Sequence, residues 1–124
     1  MRAAASFDGS GGFAATELNA ALEPARVMFR ELLIERIMAF EAYRRLAEQS
    51  EHPQVEMVRI ADIAHKIAGV GGTLGFAKAG ALAGDLDRSI TENPAKFAES
   101  GYLQRVADPL LEALLVEMEA LLDD

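Results

Sequence analysis

The sequence predicts an all-α protein, an antiparallel four-helix bundle preceded by a short extra N-terminal helix and a flexible N-terminal tail. Three observations carry this expectation. Apolar residues recur at helical spacing along four substantial segments. Aromatic residues make up only 6% and tryptophan is absent, a composition that favours packed helices over sheets. No run alternates apolar and polar residues with a period of two, and no internal repeat is present. At 124 residues the chain is sized for one core, which assigns residues 1–15 to the tail and 16–124 to the bundle domain.

Residues 1–15 contain Ser10-Gly11-Gly12 and show no amphipathic period, hence the tail. Thr16 and Glu17 can open a short helix running to about Leu22. Pro24 suits the first turn of a long helix ending near Gln49. On that helix Phe29, Leu32, Leu33, Ile37, Phe40, Tyr43 and Ala47 share one face. Arg36 falls close to that face, its stem expected along the core edge and its head in water. Ser50-Glu51-His52-Pro53 ends it, because a residue before proline disfavours the helical region. A third helix is expected from about Pro53 to the glycines near residue 70. A fourth runs from about Phe76 to Thr91 with Leu82, Leu86 and Ile90 as its stripe. The last runs from about Leu103 to Leu122, with Val106, Leu110, Leu114, Met118 and Leu121 inward. Pro109 either kinks that helix or follows Asp108 as the cap of a fresh one. Met28, Met38, Met57 and Met118 are expected in the core or at its edge.

Composition narrows the function classes. There is no cysteine, which removes disulfides, thiol nucleophiles and cysteine-ligated zinc. The formal net charge is −8, which disfavours nucleic-acid partners. The charge is uneven: residues 55–90 carry four basic and four acidic side chains, whereas 91–124 carry two and eight. No stretch is long and apolar enough to span a membrane, and the first residues are too short and too polar for a signal-peptide core. A cytoplasmic protein is the resulting expectation.

The neutral middle holds the informative residues. Six of the ten glycines fall between residues 69 and 84. With Val55 at 0° on the third helix, Ile60, Ile63, Ala64 and Ile67 fall between roughly 80° and 180°, the predicted buried face. His65 falls near roughly 280°, so it projects outward. Ala61 and Asp62 precede it by one turn, and Ala68, Gly69 and Gly72 follow it. Apart from Asp62, this is a cleared strip of helix. Each helical glycine costs about 1 kcal/mol relative to alanine, so Gly69, Gly71 and Gly72 imply either that something approaches the backbone closely or that the helix ends there. An imidazole titrates near neutrality and is a competent nucleophile. Standing on a bare, rigid strip, it can enter another protein's pocket and take an activated phosphoryl group, a chemistry that rests on positioning and charge neutralisation.

The stretch from His65 to Gly75 resembles the signature of histidine-containing phosphotransfer domains: His65, an aliphatic Ile67, then Gly69, the small Gly71, Leu74 and a second glycine, Gly75, ten positions after the histidine. The flanking order is similar too, with the Phe29/Leu33 helix before and the Leu82/Leu86 helix after, so the resemblance covers roughly residues 24–122. It implies a four-helix phosphocarrier whose phosphoacceptor is His65, and whose partners are receiver domains of response regulators and hybrid histidine kinases. Docking is expected on Ala61, Asp62, Lys66, Ala68, Gly69 and Gly72. One departure stands out: the family usually places lysine three positions after the histidine, where this chain has Ala68. Lys66 is basic but about 100° round the helix from His65. The resemblance further implies a monomer that binds no metal or cofactor, with Mg²⁺ expected on the partner receiver.

Competing readings exist for each feature. His65 also reads as an ordinary surface histidine, and Asp62, Lys66 and Lys78 as solvated charges. A nucleotide-binding loop at 69–75 fails, because Leu74 stands where the fingerprint needs glycine and no strand precedes it. The phosphate-loop Gly-Lys-Ser/Thr is missing as well, so the chain is not expected to act as a kinase. The alternative function is a helical interaction module that binds a kinase or regulator without carrying phosphate.

Overall fold

The computed structural model describes residues 9–92 and 103–123. Among them no strand occurs, and no helix is long and apolar enough to cross a membrane. The elements are α1 (Gly9–Glu31), α2 (Leu33–Gln49), α3 (Gln54–Gly71), α4 (Ala77–Thr91), a π-helical turn (Leu103–Ala107) and α5 (Asp108–Leu122). The chain divides into two compact units, Met1–Glu31 and Leu32–Asp124.

The first unit contains α1. Residues 9–15, expected in the tail, are already helical, whereas 1–8 lie outside the described residues. Pro24 sits inside α1 rather than at the start of a helix. It withholds the N–H that the carbonyl of Ala20 would accept. Arg26 donates to the neighbouring Asn19, at 3.0 Å to its carbonyl and 2.9 Å to its side-chain Oδ1.

In the second unit α2 contacts α3 and α5, and α4 contacts the same two, with the α3–α4 pairing the most extensive. Phe40, Leu33, Met57, Ile60, Ile67, Leu86, Ile90, Leu114 and Met118 are the largest fully buried side chains. Each such burial contributes about 1.5–3 kcal/mol before entropy is charged against it. No polar or charged residue is buried among those described. Arg36 is half-buried, and that burial pushes its guanidinium pKa below the ordinary value while Glu35 partly offsets the effect. Arg44 of α2 reaches α5, donating to Glu112 Oε1 at 2.8 Å with Asp108 Oδ1 at 3.8 Å. The bond to Glu112 holds the Arg44 pKa above its usual value, against a desolvation that lowers it.

Several expected core positions lie elsewhere. Met28 and Met38 are exposed; Met28 precedes the buried Phe29 and Met38 follows the buried Ile37, each by one residue, or about 100°. Ile63, Leu82, Leu110 and Leu121 are half-buried at the edges of their stripes. The last segment resolves the Pro109 question. Leu103–Ala107 winds as a π-helical turn, and Pro109 then occupies the first turn of α5. Asp108 is the first residue of α5, and no side chain caps that end. The wider turn accommodates a proline that lacks an N–H and crowds the preceding carbonyls. It also shifts the phase by one residue: Ala107, Leu111, Leu114, Leu115 and Met118 face inward, and Val106 faces out.

The α3–α4 connection positions the site. Phe76 N–H bonds the Gly71 carbonyl at 2.7 Å and Gly75 N–H bonds that of Gly72 at 3.3 Å. Gly75 has φ 93°. This pair of bonds around a left-handed residue is the Schellman ending, for which glycine avoids the Cβ clash. A Cβ on Gly71 would lie 2.8 Å from the Gly80 Cα, so here the backbones of α3 and α4 nearly touch. Ala64, Ala79, Ala83 and Gly84 are buried alongside.

Candidate functional site

The close α3–α4 approach sets an aspartate of one helix beside the histidine of the other. On α3, Ile60, Ala64 and Ile67 turn inward, which leaves the His65 side chain 76% exposed. On α4, Leu86 and Ile90 are buried. Asp87, one residue past Leu86, sits at the edge of that face with its side chain 16% exposed. His65 Nδ1 and Asp87 Oδ2 are 2.9 Å apart. A carboxylate accepts, so in the neutral ring Nδ1 carries the proton and Nε2 keeps its lone pair. The site is thus an imidazole held by a half-buried carboxylate, presenting a single basic nitrogen to solvent.

The predicted strip is brought to one place in part. Gly69 and Gly72 are exposed, and a Cβ on either would meet nothing within 4 Å. Ala68 is half-buried. Asp62 and Lys66 are exposed and face each other, Oδ2 to Nζ, at 3.5 Å. Ala61 departs from expectation. It is only 4% exposed, because α4 packs so tightly against α3 that an alanine at the border is covered. Gly71 is buried for the same reason. Lys78 pairs with Glu117 of α5 at 3.6 Å.

An open groove of ≈ 540 Å³ runs beside the histidine, lined by Val58, Ala61, Asp62, His65, Asp87, Ile90 and Thr91. Its walls are mainly apolar, its charged members are both carboxylates, and no lysine or arginine lines it. Sequence reasoning missed Asp87, Val58, Ile90 and Thr91 as neighbours of His65. The available signal for Asp87 is its position beside the buried Leu86 on the α4 stripe, but the pairing needs the register of α4 on α3. Among the described residues, no group of three or more histidine, cysteine, aspartate or glutamate side chains could hold a metal ion. Chemically, the arrangement supplies an oriented nitrogen nucleophile backed by an anion, with the mainly apolar groove on one side and the bare Gly69 and Gly72 on the other. Comparison with protein families, curated proteins and solved structures finds no match.

Proposed function

We propose that the Leu32–Asp124 unit is an antiparallel four-helix bundle acting as a cytoplasmic, monomeric histidine-containing phosphotransfer domain. It carries a phosphoryl group on His65 between receiver-domain aspartates of a multistep two-component relay. The observation that carries this reading is the exposed His65 ring, with its Nδ1 on Asp87 so that Nε2 is the nitrogen left to react.

The chemistry follows from that hydrogen bond. The Nε2 lone pair attacks the phosphorus of a receiver's aspartyl phosphate. The bond between phosphorus and the carboxylate oxygen breaks, and its electron pair stays on the aspartate. The phosphoryl group is then on Nε2 and the ring has become cationic, with its Nδ1 proton retained toward Asp87. No proton has to leave, and the carboxylate stabilises the cation as it forms, as an aspartate does behind any histidine nucleophile or base. In the return step the cationic ring is a good leaving group for a second receiver's aspartate. Mg²⁺ on the receiver would supply charge neutralisation during transfer. The chain is read as a carrier, not as a kinase with its own nucleotide site. Ala68, in place of a lysine, favours the second reading, a helical module that binds such partners without taking phosphate.

Mixing the protein with a phosphorylated receiver tests the choice. Acid-labile, base-stable phosphate is expected on the wild type and none on His65→Gln, with unchanged helical circular dichroism. Undiminished labelling of His65→Gln at another residue refutes the assignment, and binding without label on the wild type selects the second reading.

A further inference from the structure

We infer that Lys66 is the cation that meets the phosphoryl group on His65, and that Asp62 holds it in readiness. This deepens the phosphotransfer reading and rests on it. A phosphoryl group on Nε2 brings negative charge to a groove whose own charged members are Asp62 and Asp87. Phosphoryl transfer is governed by positioning and charge neutralisation, so a cation on this chain has to come from outside the groove lining.

Lys66 is placed to supply it. Measured around α3 with His65 at 0°, Lys66 leaves the helix at about 100° and Asp62 at about 60°. The Lys66 Nζ lies 3.5 Å from Asp62 Oδ2, so the ammonium leans back from its own direction toward the histidine's side. Gly69, about 40° from His65 on the same side, leaves open space there. Both members of the pair are 63% exposed. Such a pair is worth at most about 1 kcal/mol, so the ammonium can exchange a carboxylate oxygen for a phosphoryl oxygen of higher charge. Lys78, paired with Glu117 of α5, and Arg88, paired with Asp85, stand on α4, whereas Lys66 stands on the helix that bears His65.

Loading of the full chain by phosphoramidate, a small phosphoryl donor that needs no receiver, provides the test. The expected rate of acid-labile phosphate formation on His65 falls about fivefold in Lys66→Gln, the size of an exposed charge interaction. Lys66→Arg stays close to wild type, and Asp62→Asn, which releases the ammonium, loads faster. Lys78→Gln changes net charge equally and should load like wild type. The difference between Lys66→Gln and wild type should persist in 0.5 M salt, where distant charges are screened. Equal rates for Lys66→Gln and wild type, or equal slowing in Lys66→Gln and Lys78→Gln, overturn the role of Lys66 while leaving His65 as acceptor. A wild-type protein that takes no phosphate from phosphoramidate or from a receiver overturns both.

Discussion

Asp87 separates a surface histidine from a prepared one. An imidazole that is 76% exposed ordinarily samples several rotamers and both neutral tautomers. A hydrogen bond to a carboxylate is worth about 1.5–3 kcal/mol, enough to select one ring orientation and one proton position. Asp87→Ala should therefore slow transfer from a phosphorylated receiver by roughly ten- to hundredfold. Asp87→Asn, which retains an acceptor oxygen without the charge, should fall between the two. The measurement is the single-turnover transfer rate, with the His65 ring nitrogen shifts as the readout of tautomer. An Asp87→Ala protein that transfers at the wild-type rate with an unchanged tautomer would show that the carboxylate plays no part. His65 itself was legible in the sequence, since its angular position away from Ile60, Ala64 and Ile67 needs only helical arithmetic. Its partner was not, because Asp87 lies 22 positions on, across a turn whose geometry no periodicity encodes.

At the scale of the element, the glycines at the end of α3 divide into two kinds that sequence alone leaves together. Gly71 answers to α4, since its missing Cβ is what lets the Gly80 backbone approach. Gly69 and Gly72 answer to nothing inside the protein. Gly71→Ala should destabilise the fold by about 1–3 kcal/mol through overpacking and slow transfer as Asp87 is pushed from His65. Gly69→Ala should raise stability by up to about 1 kcal/mol, because alanine is the better helix former. It should nevertheless slow transfer from a receiver, whose surface must close over that strip. Urea denaturation and transfer kinetics on the two variants check both halves. A Gly69→Ala protein that gains stability and transfers as fast as wild type would remove the docking role of the strip. The α5 register shows where periodicity misleads: the stripe from Val106 through Leu110 to Leu114 assumes 3.6 residues per turn, and the π turn before Asp108 breaks that count.

For the whole molecule, net charge is spread unevenly along the sequence. Of the net −8, residues 55–90 contribute nothing, so α3 and α4 offer a partner's acidic pocket no strong repulsion. Association with a phosphorylated receiver should accordingly change only mildly between low and physiological salt. A steep dependence in a titration across that range would contradict it. The Arg44 link between α2 and α5 is insensitive to pH in the working range. Its folded pKa is raised, so its contribution is complete below the ordinary arginine value and lost only as pH climbs above it. The helical content, the turn at Pro53 and the ending at Gly75 could all be read from residue order, because each has a local cause. The cover over Ala61 could not, because it depends on how α3 and α4 meet.

The contact between Gly71 and Gly80 gives the site a mechanical property. Side chains that space two helices can rotate and let them slide closer, but two backbones in contact cannot. The junction is a hard stop: thermal motion or a poorly chosen replacement can only spread the helices, never tighten them. The junction therefore fixes how closely the backbones of α3 and α4 can approach, and leaves the 2.9 Å between ring and carboxylate to be trimmed by their side-chain rotamers.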